Sequence, residues 1–317
     1  MRSNRTLAGS DVKSLKFVLS TFAGVSLIRH MNPPIRLLAF IIAIASSILF
    51  TSPGKAGEIS PKKIGLQLYS LRNQFVKDVP VTMAEIRRWG VENVELAGTY
   101  GFTTEQFKAQ LDAHGLRPIS AHYGYDQFRT NLDWIIRDAK TLGLKYVGCA
   151  WIPHGDMFDE RTCREAIATF NHAGRVLSEH GLTFFSHTHG YEFAPYKDGT
   201  FFDEMMAETD PKYVSFEMDV FWVAHAGKDP TLLMEKYGSR WKLMHLKGMK
   251  DGTPTGLFTG HSDPNNDAPV GQGKISFPPL FKAAAQAGVK WYFIEDESDR
   301  SEQQIPVSLK YMQELRW

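Results

Sequence analysis

The chain has 317 residues, 43% of them apolar and 22% charged, with 36 Lys and Arg against 35 Asp and Glu, which excludes disorder, collagen and coiled coil. The length admits either two domains or a single α/β barrel of about 250 residues. Two cysteines, Cys149 and Cys163, are too few for a disulfide scaffold and are compatible with one local bridge or two free thiols.

Taken from the N-terminus, Leu37 to Phe50 is a mostly apolar run of 14 residues, preceded by Arg36 and followed by small residues up to Ala56. This is the layout of a signal peptide cleaved near Ala56, and the run falls short of the roughly 20 residues that span a bilayer. Residues 1–56 are therefore expected to be an N-terminal extension and signal peptide, with Met31 where such a signal would start. The mature protein is expected to be periplasmic or extracellular, without a stable membrane anchor. Its removal takes away seven basic residues and one acidic one, leaving 29 basic against 34 acidic and a net charge of −5. Neither that balance nor any Lys/Arg cluster provides the basic surface that nucleic acid requires, so nucleic acid is not an expected partner.

Residues 57–317 repeat one unit: a helical pattern stops at a glycine, and a short β-branched or aromatic run follows. The junction glycines are Gly90, Gly115, Gly143, Gly181, Gly238 and Gly288. Glycine suits such stops because it takes the left-handed conformation without a Cβ penalty. The runs that follow are VENVEL, LRPISAH, LKYVGCA, LTFFSHTH, SRWKLMHLK and VKWYFIEDE, and Ile64 to Leu71 and Tyr213 to Val220 bring the predicted strands to eight. Amphipathic stretches lie between them at Thr104 to His114, Asn131 to Leu142, Cys163 to His180 and Pro279 to Ala287, with Ser301 to Arg316 closing the chain. Eight strands alternating with helices predict a single (β/α)8 barrel over 57–317. A doubly wound sheet is the competing architecture, but no Gly-x-Gly-x-x-Gly turn follows the first strand.

Barrel chemistry sits at the C-terminal strand ends, and polar residues recur there. Glu95 is five residues past its glycine, His122 seven, His187 and His189 six and eight, His245 seven and Glu295 seven, with Asp219 at the equivalent place in its strand. Such a mixture of His, Asp and Glu is a donor set for one divalent metal ion, with Mn, Mg, Co and Zn as candidates.

These residues resemble the xylose isomerase-like barrels, a family of sugar-phosphate isomerases and epimerases, ketose epimerases, inosose dehydratases and type IV AP endonucleases. The resemblance runs over about residues 62–317 through Gly65-Leu-Gln-Leu-Tyr-Ser-Leu-Arg72, Val94-Glu-Leu-Ala-Gly98, Ser120-Ala-His122, His187-Thr-His-Gly-Tyr-Glu-Phe193, Glu217-Met-Asp219-Val-Phe-Trp222, Met244-His-Leu-Lys247, Gly271-Gln-Gly273 and Ile294-Glu295. It implies metal ligands Asp219, His245 and Glu295. Where the family has a fifth-strand Glu, this chain aligns His187, as in a His-Asn-His branch of the family, with His189 or Glu192 as competing ligands. An endonuclease is disfavoured because Trp222 stands where a histidine is expected after the Asp.

A metal bridging a carbonyl and a neighbouring hydroxyl would stabilise the enediolate formed when a carboxylate removes the proton between them. Glu295 is the first choice of base, with Glu192 or His122 as second proton carrier and Lys247 stabilising oxyanion charge. Glu95 either holds substrate hydroxyls or orients a ligand, and His189 is a further substrate-binding candidate. Tyr123, Trp151 and Trp222 could stack on a sugar. The leading expectation is an isomerase or epimerase of a small carbohydrate. The same site could instead serve a keto-glycoside lyase or hydrolase or a sugar dehydratase, and a catalytically silent carbohydrate-binding barrel is the alternative of another class.

Overall fold

In a computed structural model describing residues 57–317, eight parallel strands close into a barrel. They are β1 (Ile64–Gln67), β2 (Asn93–Leu96), β3 (Arg117–Tyr123), β4 (Tyr146–Cys149), β5 (Thr183–His187), β6 (Val214–Asp219), β7 (Trp241–Leu246) and β8 (Trp291–Ile294). Order around the ring follows the chain, and β8 pairs back onto β1. The principal helices on the outside are α1 (Val79–Arg88), α2 (Thr104–Ala113), α3 (Leu132–Leu142), α4 (Glu160–Glu179), α5 (Phe201–Glu208), α6 (Pro230–Tyr237), α7 (Phe277–Ala287) and α8 (Ser301–Glu314). The expected export signal, its cleavage site and the start at Met31 lie outside the described residues. Among the described residues no helix is long and apolar enough to cross a membrane. Cys149 and Cys163 are both free and buried, so of the two thiol states the structure has no bridge.

Local chemistry sets the element ends. All six junction glycines have positive φ, between 48° and 84°, where a Cβ would be strained. The first strand is shorter than the expected Ile64 to Leu71, because the Gln67 side chain accepts the amide of Tyr69 at 3.0 Å and turns Leu68–Leu71 into a 3-10 helix. Helix α4 begins before the expected Cys163, since Asp159 accepts the amide of Thr162 at 2.7 Å and caps it three residues earlier.

Side chains alternate along a strand, and in this barrel the inward positions change character with height. Ile119, Tyr146, Phe185, Leu243 and Phe293 form an apolar plug low in the ring. Two residues on, the same strands present His187, His245 and Glu295 in place of Phe185, Leu243 and Phe293. The larger core fills the layer between strands and helices. An apolar floor of this kind keeps water away from the lower side of the ionisable layer.

Candidate metal centre and active site

Register brings the candidate ligands together. Asp219 lies beside His245 across β6 and β7, and Phe293 pairs with His245, which puts Glu295 one step above it. His187, Asp219, His245 and Glu295 each offer a donor atom within 4.8 Å of the others, and all four are buried. His245 Nδ1 lies 3.2 Å from His187 Nε2, 3.2 Å from Glu295 Oε2 and 3.6 Å from Asp219 Oδ2, and His187 Nε2 lies 3.6 Å from Asp219 Oδ2. Separations of 3.2 to 3.6 Å are close enough for these donors to hold one small divalent ion together. Asp219 divides its oxygens: Oδ1 caps the short helix Val220–His225 through the amide of Trp222 at 3.0 Å, while buried Oδ2 has no hydrogen-bond partner. The residues present therefore fit a metal, and of the three candidates for the fifth-strand position it is His187 that joins the cluster.

Beneath them sits a second acidic group. Glu95, His122, Glu217 and His245 also bring donor atoms close together. Here, however, Glu95 is already saturated: Oε1 accepts from Gln67 Nε2 at 2.8 Å and from the His245 ring Nε2 at 2.5 Å, and Oε2 accepts from Ser120 Oγ at 2.5 Å. Burial alone would raise the Glu95 carboxyl, but His122 and His245 outweigh it and hold it at about 2. A carboxylate receiving the far nitrogen of a ligand imidazole fixes its tautomer and leaves the near nitrogen free for metal. Glu95 is fully buried and does not line the cavity, so of its two expected roles the geometry matches orientation of a ligand and not contact with substrate hydroxyls. Burial and the nearby Glu95 push Glu217 well above the usual carboxylate range.

A cavity of about 690 Å³ opens above this layer, lined among others by His122, His187, His189, Trp222, His245 and Glu295. His122 Nε2 lies 2.9 Å from Glu217 Oε2 and 3.3 Å from Glu95 Oε1. Burial lowers its pKa below the usual histidine value, against the pull of the nearby carboxylates. His189 stands past the end of β5 as a wall residue, its ring 4.6 Å from Trp222 and stacked at 23°. Trp151 and Tyr123 also line the cavity, and the Tyr123 hydroxyl donates to Asp138 Oδ2 at 2.6 Å.

Two proposed catalytic residues stand back from the cavity. Glu192 does not line it; its Oε1 accepts the His189 amide at 2.8 Å, after Gly190 at φ 97° has turned the chain off the strand. Burial pushes Glu192 up to about 7. Lys247 is buried behind Glu295, 3.5 Å from its Oε2 and 3.7 Å from Asp267 Oδ2, and it pairs with Glu297. Burial would raise Glu295, but Lys247 and His245 hold its carboxyl well below the usual range.

Sequence reasoning assigned no role to Glu217, Glu297 or Asp267. For Glu217 a signal existed: it precedes Asp219 by two and so shares its inward face. Asp267 lies far from Lys247 in sequence and reaches it because Gly248–Met249 and Asp267–Ala268 pair as an antiparallel ribbon over the barrel end.

The xylose isomerase-like TIM barrel family matches this chain over residues 81–317. The chain is 28% identical over 254 residues to an inosose dehydratase of Geobacillus thermodenitrificans, covering 68% of this chain and 81% of that protein. A sugar phosphate isomerase/epimerase from Parabacteroides distasonis superposes with a TM-score of 0.63 at 26% identity, over 82% of this chain and 95% of that one. An IolI protein solved with a bound zinc atom superposes with a TM-score of 0.61 at 14% identity, over 79% and 95% of the two chains, a likeness of fold alone. Closed parallel barrel, strand-end donors and matching sequence agree, and the chain belongs to the xylose isomerase-like TIM barrel family.

Proposed function

We propose that the protein is a metal-dependent enzyme that removes the proton α to a carbonyl of a small carbohydrate and then eliminates a β-oxygen substituent. The observation that carries this reading is the convergence of His187, Asp219, His245 and Glu295, of which all but Asp219 line the cavity, with the apolar plug below. A divalent ion held there would supply Lewis-acid polarisation of a carbonyl and its neighbouring hydroxyl.

The rest falls to side chains. Glu295, kept ionised by Lys247, takes the α-proton; the C–H electron pair becomes the enediolate and then the new C=C bond, and the β-oxygen leaves with a proton. His122 carries that second proton, because its Nε2 lies 2.9 Å from Glu217 Oε2, and the Glu217 carboxyl, pushed well above the usual range by burial, can recharge it. Sequence reasoning put isomerisation or epimerisation first, but reversing a stereocentre needs acid and base on opposite faces. In the four-donor cluster the fifth-strand position is His187, not a carboxylate, and Glu192 lies off the cavity, which favours elimination over epimerisation. The inosose dehydratase relative supports the same choice.

The test is metal analysis of the purified protein together with incubation of keto sugars in heavy water. About one divalent ion per chain, lost in Asp219→Ala, with deuterium appearing at the α-carbon and an unsaturated product, is expected. A wild-type protein without metal, or product formed with no α-exchange and no double bond, would overturn the proposal.

A further inference from the structure

The cavity wall carries information about the substrate beyond the reacting atoms. Among the described residues its ionisable lining is three carboxylates, Asp126, Glu295 and Glu297, five histidines and three tyrosines, with no lysine or arginine. Two cations that touch lining residues, Lys247 and Arg72, are engaged with them and not with the cavity. Lys247 is buried among Glu295, Glu297 and Asp267. Arg72 donates to the carbonyls of Tyr69 and Glu297 at 3.0 Å each and lies over the Tyr69 ring at 4.5 Å. A phosphate dianion entering the cavity would meet carboxylates and find no bidentate cation to replace its water.

Above the donors the wall is aromatic. Trp151 is held by its neighbours: its ring lies 4.9 Å from His154, stacked at 23°, and edge-on to His189 at 4.9 Å and to Tyr191 at 4.8 Å. The loop crossing from β7 presses on it as well, since a Cβ on Gly260 would come within 2.7 Å of Trp151 Cζ3. An aromatic residue locked in place on a partly open wall binds apolar surface without losing rotamer freedom. A volume of about 690 Å³ far exceeds one sugar ring and lies within the range of cavities that enclose drug-sized ligands.

We propose that the substrate is an uncharged glycoside of two ring units, neither a phosphorylated sugar nor a free monosaccharide. One sugar ring sits over the metal donors, and the second ring lies against the wall set by Trp151, which is the specificity-determining residue. The placement of the first ring rests on the reaction proposed above.

Calorimetric binding to the metal-loaded full chain tests this with three probes: glucose, phenyl β-glucoside and glucose 6-phosphate. Phenyl β-glucoside should bind about 10-fold more tightly than glucose, and glucose 6-phosphate no more tightly than glucose. Trp151→Ala should remove the advantage of the glycoside while leaving glucose within about 2-fold, and Trp151→Phe should retain most of it. Tighter binding of the phosphate, equal binding of glucose and its glycoside, or equal weakening of both by Trp151→Ala in a protein with wild-type circular dichroism would overturn the inference. Metal content and α-exchange on the same samples report separately on the reaction, so either idea can fail alone.

Discussion

In the proposed reaction Glu295 would have two duties, donor and base, and one substitution separates them. Glu295→Gln retains shape and one oxygen donor but cannot accept a proton; turnover and α-exchange should both fall at least about 100-fold while binding of a glycoside changes little. Exchange at the wild-type rate, read by mass spectrometry in heavy water, would move the base to His122. Glu95 acts at one remove, through the His245 ring nitrogen that it holds at 2.5 Å. Glu95→Gln should therefore weaken metal affinity about 10- to 100-fold with an unchanged fold, measured by competition with a chelator. His245 and Glu295 are legible in sequence because each lies seven residues past a glycine, and Asp219 because it stands at the equivalent place in its strand. Glu192 misleads for a physical reason: it follows His187-Thr-His189 closely, but Gly190 takes the chain off the strand before it. The Lys247–Asp267 contact cannot be read at all without the ribbon that creates it.

At the level of elements, the period from glycine to strand foretells eight strands and the order around the ring, because parallel βαβ units leave few other closures. Strand length is less legible, since Gln67 ends β1 by a side-chain bond to the backbone that pattern alone does not reveal. Packing of β4 on β5 depends on Gly148, where a Cβ would overlap the Phe185 ring. That ring stands 5.5 Å below His122. Gly148→Ala should cost about 1–3 kcal/mol, seen as a lower Tm, and should perturb activity by lifting Phe185 toward His122. Helices α5 and α6 are joined by Asp203, which accepts from Lys236 at 2.5 Å, from Thr200 Oγ at 2.6 Å and from Tyr237. Partial burial would raise this carboxyl, but those bonds hold it at about 2. Its pKa is depressed, so its stabilisation is complete above about pH 4 and disappears as pH falls toward 2. Partial exposure limits the effect to about 1 kcal/mol. Asp203→Asn should lower Tm by about 2–4 °C at pH 7 and flatten its fall between pH 4 and 2, followed by thermal melts.

For the whole molecule, the meeting of Gly57 and Trp317 matters more than its two bonds suggest. The amide of Gly57 donates to the Trp317 carbonyl at 2.6 Å, and the amide of Trp317 donates back at 3.1 Å. Strands follow one another around the ring without a crossing, and β8 is bonded to β1 as each other strand is to its neighbour. Over residues 57–317 the barrel is thus cyclic in connectivity, and the gap between 317 and 57 is one of eight junctions between successive units. Removing residues 1–56, linking 317 to 57 with a few glycines and reopening the chain beside the exposed Gly143, away from the donor ends of the strands, should yield a circular permutant that still retains metal and near-UV circular dichroism. If it does not, folding of this barrel depends on which unit is made first.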